Sequence, residues 1–274
     1  MSQLKLSYIT NNLTTAKYAD NAGIDEIFVD LEIHGKHQRQ KDRDTVISNH
    51  SIEDIYKIKE TLSNSSLLVR CNPIGEWSKN EIDKIIQFGA DTVMLPFFKK
   101  IKEVEMFLDI INERVKTNLL VETIDAVKNL ESILKLDQVN RIHIGLNDLH
   151  IEVGNKFMFE PFANGMLDNI SEIAKKFDVS FGIGGISKIG SHLIPSPESL
   201  IGEHKRLGSS AVILSRSFLA SNHNFTEEEI ENHFKTGIQD IREREKLVES
   251  WTKKEFQENR KLVKKDIKRV IRDM

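Results

Sequence analysis

The sequence is poor in cysteine and in long apolar runs. Its single cysteine, Cys71, excludes an intramolecular disulfide and a cysteine-rich zinc site, and its position within an apolar run predicts a small buried thiol. No apolar stretch approaches the roughly 20 residues that span a bilayer, and residues 1–12 lack the pattern of a signal peptide. We therefore expect a cytoplasmic protein that has no membrane partner.

The sequence also lacks a strong charge of either sign. Its 39 basic and 42 acidic residues give a formal net charge of −3 and are mostly interspersed. No broad basic surface therefore argues for a nucleic-acid partner, and a small-molecule substrate is the better expectation. A hydrophobic fraction of 39% with 14 Phe residues suffices for a large core in a chain of 274 residues.

What the sequence does contain is a regular alternation of short apolar runs and amphipathic stretches. The apolar runs predict strands at 4–9, 26–31, 67–71, 92–95, 119–122, 142–146, 179–183 and 211–214. Helices are predicted between them at 13–22, 51–62, 78–88, 101–114, 124–134, 162–177 and 197–207. Strands that are continuously apolar and separated by helices are typical of a parallel sheet. We predict an α/β fold, a (β/α)8 TIM barrel; a doubly wound open sheet shares the local pattern and is disfavoured only by the strand count.

Helix starts are marked by capping pairs. Ser51 with Asp54, and Ser78 with Glu81, each have the spacing of a capping box. Thr226, followed by three glutamates, predicts the start of a C-terminal helical extension. We divide the chain into a catalytic barrel, 1–222, and this extension, 223–274.

The extension carries an apolar stripe at helical spacing, which includes Ile230, Phe234, Ile241 and Val248. A final barrel helix needs only part of this length. We expect a homo-oligomer formed through the C-terminal helices. The alternative is an extension that folds back on its own barrel.

Polar residues close several of the predicted strands. The second strand ends in Asp30 and Glu32, the third in Arg70, the fifth in Glu122 and the sixth in Asp148. The C-terminal ends of the strands carry the active site in barrels of this type. Arg70 is a candidate anchor for an anionic substrate, and its alternative role is an ion pair with Asp30 or Glu32.

An ionised carboxylate beside apolar surface needs a compensating positive charge. We therefore predict that Glu122 and Asp148 hold one divalent metal, Mg²⁺ or Mn²⁺, because such ions take one or two carboxylates and fill the remaining positions with water and substrate. The alternative is that Asp148 caps a turn while Glu122 pairs with Arg70.

Two further segments are candidates for substrate contacts. Asn147 lies beside Asp148, and Gly184 and Gly185 follow the seventh strand, where exposed backbone amides could bind an anion or form a tight turn. His34 or His37, in the long polar segment 33–49, could act as general base; exposed loop imidazoles are the alternative. His143 has apolar neighbours and is predicted to be a satisfied core residue.

Five segments, taken together, resemble a known family. They are 28–32 (FVDLE), 68–73 (LVRCNP), 89–96 (GADTVMLP), 120–123 (LVET) and 145–149 (GLNDL), in order over about residues 4–219. The chain is similar to the HpcH/HpaI aldolases (class II pyruvate aldolases) and the citrate lyase β-subunits, which are phosphoenolpyruvate/pyruvate TIM barrels.

The resemblance implies a metal-dependent carbon–carbon lyase that acts through a pyruvate-type enolate on a 2-keto acid, with an aldehyde or thioester as co-substrate. It implies that Arg70 binds the substrate carboxylate, that Glu122 and Asp148 ligate Mg²⁺ or Mn²⁺, and that Asp30 and Glu32 lie near the metal and its waters. An acyl-CoA lyase of the citrate or malyl-CoA type and a non-catalytic assembly subunit are the alternatives.

The sequence departs from the family in one respect. The pyruvate aldolases have a histidine where this chain has Ile33, with His34 one residue later. The polar residues Arg39, Gln40, Asp42 and Asp44 are candidates to replace it. A Schiff-base mechanism is disfavoured because strands five to seven contain no lysine.

Overall fold

A computed structural model describes residues 3–34, 48–219 and 225–274. Within them, eight parallel strands close into a barrel in sequence order. The strands are β1 Lys5–Ile9, β2 Glu26–Asp30, β3 Ser66–Arg70, β4 Thr92–Leu95, β5 Lys116–Val121, β6 Arg141–Ile144, β7 Ser180–Ile183 and β8 Ala211–Ile213. The predicted (β/α)8 TIM barrel is confirmed.

Helices surround the barrel between the strands. They are α1 Leu13–Ala22, α2 Ile52–Thr61, α3 Ser78–Gln87, α4 Ile101–Ile111, α5 Ile124–Lys128, α6 Leu130–Ile133, α7 Leu146–Glu152, α8 Glu160–Ala163, α9 Met166–Lys176 and α10 Pro197–Leu207. A 3₁₀ turn, Arg216–Phe218, follows β8. Two predicted helices are each divided in two: 124–134 at Asn129, and 162–177 at Gly165, whose φ of 92° favours glycine.

The two predicted capping boxes differ in outcome. Ser51 and Asp54 form theirs, with the Ser51 N–H donating to Asp54 Oδ2 at 2.9 Å. The prediction for Ser78 and Glu81 is wrong. Ser78 Oγ instead accepts from the Gly75 N–H at 2.9 Å, and Glu81 accepts from Asn72 Nδ2 at 2.6 Å, so Glu81 anchors the segment after β3.

The barrel interior is apolar in its middle and polar at its N-terminal end. Phe28, Leu68, Met94 and Leu120 form the interior cluster, with Ile9 and Ile213 packed against it. Below them, Arg141 Nη2 donates to both carboxylate oxygens of Glu26 at 2.9 and 3.0 Å. Cys71 is buried, as predicted, and burial raises the pKa of its thiol well above the ordinary value.

Two C-terminal helices, α11 Glu227–Glu249 and α12 Lys253–Asp273, cover one side of the barrel. Both begin with capping boxes, the first at the predicted Thr226. The side chains of Phe234, Ile241 and Val248 are fully buried, and the Phe234 ring meets the Tyr8 ring edge-on at 4.9 Å. The apolar stripe is therefore buried within its own chain, which is the alternative arrangement, an extension folded back on its own barrel. A homo-oligomer stays a prediction.

Glu245 on α11 ties this extension to the start of the barrel. Its Oε1 accepts from the Leu4 N–H at 2.7 Å and lies 3.1 Å from Lys205 Nζ on α10. Its Oε2 accepts from Arg242 at 2.7 Å. The extension is thus joined to the first strand and to α10 by one buried carboxylate.

None of the helices in the described ranges combines the length and the apolarity that a bilayer crossing requires.

Candidate active site

A pocket of about 640 Å³ opens at the C-terminal ends of the strands. Six residues predicted from the sequence line it: Arg70, Asn147, Gly184, Gly185, Glu122 and Asp148. The two proposed metal ligands and the proposed anion anchor therefore share one cavity.

Arg70 and Asp30 end neighbouring strands and are direct partners in the β2–β3 register. Arg70 Nε donates to Asp30 Oδ1 at 2.8 Å, and Nη2 donates to Oδ2 at 2.7 Å. Nη1 lies 3.3 Å from Glu32 Oε2. Burial alone would lower the pKa of Arg70, but the charges of Asp30 and Glu32 and the hydrogen bonds to Asp30 raise it well above the ordinary value. Arg70 is therefore firmly cationic.

Asp30 is fully buried and contacts described residues at both ends of the segment that joins β2 to α2. Besides Arg70, it accepts from Ser48 Oγ at 2.9 Å and from the Glu32 N–H at 3.2 Å. Its own N–H donates to His50 Nδ1 at 3.0 Å. These bonds make Asp30 a positioning residue for Arg70 and Glu32.

Asn72, just beyond β3, binds the main chain that follows Glu32. Its Oδ1 accepts from the N–H groups of Ile33 at 2.9 Å and His34 at 3.0 Å. Because Glu81 fixes the amide of Asn72, the chain around Glu32 is held by side chains from two neighbouring units. This support was not predicted from the sequence.

Glu122 follows β5 directly and is nearly buried, at 3% exposed. Its Oε1 accepts from the Phe97 N–H at 2.9 Å. Burial raises the pKa of Glu122 well above its ordinary value, and the charges of Glu32 and Asp148 raise it further, against the opposing effects of Arg70 and the Phe97 hydrogen bond. A cation beside this carboxyl would relieve both effects.

Asp148 lies in the first turn of α7, not at the end of a strand. Strand β6 ends at Ile144, and the helix begins at Leu146, so the predicted strand 142–146 is too long. The first turn of a helix favours a carboxylate. The short connection brings Asp148 to the same pocket as Glu122.

The residues present fit a divalent metal. Among the described residues no group of three or more His, Cys, Asp or Glu side chains is arranged to hold an ion, and the pocket offers the two carboxylates of Glu122 and Asp148. Oxygen donors and one or two carboxylates are what Mg²⁺ takes when water and substrate complete its shell. A Cβ on Gly145 would lie 2.7 Å from Glu122 Oε2. A glycine there makes room for this carboxylate.

His34, the candidate base that the structure describes, does not line the pocket. The His34 side chain is exposed, its ring lies 4.3 Å from that of Trp77, and it is not among the residues that line the cavity. The other candidates lie outside the described residues: His37, Arg39, Gln40, Asp42 and Asp44.

His143 lines the pocket, which the sequence analysis missed. Its Nε2 is buried and has no hydrogen-bond partner among the described residues, so the prediction of a satisfied core residue is wrong. Burial, followed by the positive charge of Arg141, lowers its pKa well below the ordinary value, so the ring is neutral. The available signal was the two-residue strand period, which places His143 on the same face as Arg141 and Gly145.

An eight-stranded α/β barrel with paired carboxylates and a buried arginine at its C-terminal face is the architecture of a barrel enzyme. The sequence model of the HpcH/HpaI aldolase/citrate lyase family matches residues 6–161, and the chain belongs to this family. The comparison with curated proteins found no match.

Solved structures share the fold. An HpcH/HpaI aldolase from Desulfitobacterium hafniense DCB-2 is 14% identical, with a TM-score of 0.59 over 88% of this chain and 93% of that one. A family protein from Burkholderia cenocepacia J2315 is 14% identical, with a TM-score of 0.63 over 88% and 95%. The citrate synthase SbnG is 13% identical, with a TM-score of 0.60 over 88% and 94%.

Proposed function

We propose that this protein is a metal-dependent aldolase that makes or breaks a carbon–carbon bond next to a 2-keto acid, through a pyruvate-type enolate. The observation that carries the proposal is the shared pocket of Glu122, Asp148 and Arg70. Two carboxylates suited to a divalent ion and one cation suited to a substrate carboxylate are the groups that this chemistry needs.

Arg70 would bind the carboxylate of the keto acid. The guanidinium has five N–H donors, of which one on Nε and one on Nη2 donate to Asp30, while Nη1 forms an ion pair with Glu32. One N–H on Nη1 and one on Nη2 remain for a bidentate contact with an anion in the pocket. Because Asp30 fixes the guanidinium plane, these donors are oriented before the substrate arrives.

Glu122 and Asp148 would hold the divalent metal, with Glu122 using Oε2 because its Oε1 accepts from Phe97. The ion would supply Lewis-acid stabilisation of the negative charge that develops on the keto oxygen. Asn147, which precedes Asp148 in α7, lines the pocket beside them. Its amide would hydrogen-bond to the substrate.

The pocket is larger than a three-carbon keto acid needs. At about 640 Å³ it also has room for the second half of the substrate, and it falls within the usual range of ligand sites. Its outer wall includes Phe157, Phe159 and Leu193, which would exclude water from the reacting carbon atoms.

Exchange of the pyruvate methyl protons tests the proposal, because enolate formation exchanges them in deuterated water. We expect exchange, followed by proton NMR, that requires Mn²⁺ or Mg²⁺. It should fall about 100-fold or more in Glu122→Gln, which keeps the side-chain volume but removes the charge. Asp109→Asn, on the exposed face of α4, is the matched control and should exchange like the wild type.

Exchange without metal, or exchange that survives Glu122→Gln, would contradict the proposal. Turnover of acetyl-CoA with oxaloacetate, in the absence of pyruvate exchange, would instead identify a thioester-dependent enzyme.

A further inference from the structure

His143 lies at the floor of the pocket, on the strand face that looks into the barrel. The middle of the barrel is otherwise filled by apolar side chains such as Met94 and Leu120. The imidazole is 2% exposed, and its Nε2 is not satisfied by any partner in the described ranges. A buried polar atom without a partner costs free energy that an apolar side chain would avoid. The position therefore calls for a ligand atom.

The neighbouring strand makes room for this ring. Gly182 is the β7 partner of His143 in the register, and a Cβ on Gly182 would collide with His143 Nδ1. A larger residue on β7 would displace the imidazole. The local structure thus fixes the place of Nε2.

Gly184 leaves a space above the ring. An atom at the position of a Gly184 Cβ would lie 3.5 Å from His143 Nε2 and 3.8 Å from the Ile144 carbonyl oxygen, with no other atom outside its own chain neighbours within 4 Å. No side chain therefore covers Nε2 on this side. The Ile144 carbonyl already accepts from the Gly184 N–H at 3.2 Å, which leaves Nε2 as the atom that can bind a ligand.

The surroundings of Nε2 select a chemical class. A hydroxyl can both donate and accept, so it can pair with Nε2 in either tautomer of the neutral ring. A carboxylate, a phosphate or an ammonium group would bring a charge against the apolar interior formed by Met94 and Leu120. An uncharged hydroxyl is the group that fits.

We propose that His143 Nε2, which Gly184 leaves uncovered, is a hydroxyl-binding subsite for the co-substrate half of the reaction. The identity of the molecule that carries the hydroxyl rests on the proposed function, whereas the hydrogen bond to His143 does not. It makes the enzyme selective for a hydroxylated aldehyde.

The first test observes the ring directly. In protein labelled with ¹⁵N-histidine, 1-butanol should shift the Nε2 resonance of His143 saturably, and its methyl ether, which cannot donate, should shift it less. His204, a buried neutral histidine whose Nδ1 is 3.0 Å from Ser209 Oγ, is the internal control and should not move. An Nε2 resonance that no alcohol moves overturns the subsite and leaves an ordered water as its occupant.

The second test uses the reaction. With Mn²⁺ and pyruvate, glycolaldehyde should exceed acetaldehyde in kcat/KM by about 10-fold or more, because a site that binds a hydroxyl rejects the analogue that lacks it. His143→Phe, which keeps the floor filled, should abolish this preference, and His143→Gln should restore part of it. A preference that His143→Phe leaves unchanged overturns the proposal.

The two tests separate the two hypotheses. If the alcohol moves the His143 resonance while neither aldehyde reacts, the aldolase assignment fails and the subsite stands. If both aldehydes react at equal rates in the wild type and no alcohol moves the resonance, the subsite fails and the aldolase assignment stands.

Discussion

The substitution Asp30→Asn tests how Arg70 is held in the site. Asp30 is fully buried and engages the guanidinium through both of its oxygens, at 2.8 and 2.7 Å. An asparagine keeps the shape but replaces one acceptor by a donor and removes the charge. Arg70, with a side chain only 13% exposed, then keeps Glu32 at 3.3 Å as its nearest ionic partner.

The expected loss is large for a single substitution. Breaking a buried ion pair by removing one partner typically costs about 3–5 kcal/mol. Unfolding entropy of about 2.1 cal/mol/K per residue gives about 0.58 kcal/mol/K for the 274-residue chain. Asp30→Asn should therefore lower Tm by about 5–9 °C.

Thermal unfolding followed by circular dichroism at pH 7, without added metal, measures this change. Asp109→Asn makes the same chemical change at an exposed position and should leave Tm within a degree or two of the wild type. An unchanged or raised Tm in Asp30→Asn would refute the view that Asp30 is the ionised partner of Arg70.

Three further predictions concern the remaining parts of the structure. The pKa of Glu122 is raised in the folded state, so its carboxyl stabilises the fold most below the unfolded-state pKa of about 4.5, and this contribution is lost as pH rises through the folded-state pKa. In a Tm–pH series in metal-free buffer, Glu122→Gln should therefore remove this slope and raise Tm near pH 7. Gly145→Ala places a Cβ 2.7 Å from Glu122 Oε2 at a φ of −84° that alanine tolerates, so Mn²⁺ affinity measured by titration should fall about 10-fold or more while far-UV dichroism is unchanged. Gly202→Ala would place a Cβ 2.6 Å from Asn259 Nδ2, and denaturant unfolding should show a loss of about 1–3 kcal/mol; unchanged stability would contradict tight docking of α12 on α10.

Much of the fold follows from local sequence signals. Continuous apolar runs of four to six residues place the strands, because a parallel sheet covered on its outside has no polar face to alternate with. The ends of the segments were harder to place. Strand β6 ends two residues earlier than predicted because Leu146 already belongs to α7, and no side chain at Gly145 marks the start of that helix.

Site residues could be predicted from the sequence where a charged residue stands in an apolar strand, and could not be predicted where the local sequence is unremarkable. Arg70 and Glu122 stand out because charges interrupt or close apolar strands. His143 does not, since its neighbours Ile142 and Ile144 point to the outside of the barrel and give it an apolar context. The role of Asn72 depends on contacts with segments 39 residues earlier in the chain, which no local pattern contains.

The apolar stripe of the extension predicted a buried face but not the surface that buries it. Phe234 packs against Tyr8 of β1, and Gly237 gives Phe218 space that a Cβ would fill at 2.6 Å. Such complementarity between distant segments is a property of the folded surfaces. A helical period carries no information about it.

The bond between Glu245 and Leu4 joins residues 241 positions apart in the sequence. During synthesis Leu4, which directly precedes β1, emerges early, and its N–H must wait for nearly the whole chain before this acceptor leaves the ribosome. The strand pair β7–β8, which precedes the extension, has a single registered partner pair, Gly182 and Ala211. The barrel itself closes where β1 pairs with β8 at three positions, so a chain that stops short of Glu245 keeps this pairing and leaves the Leu4 N–H without its acceptor.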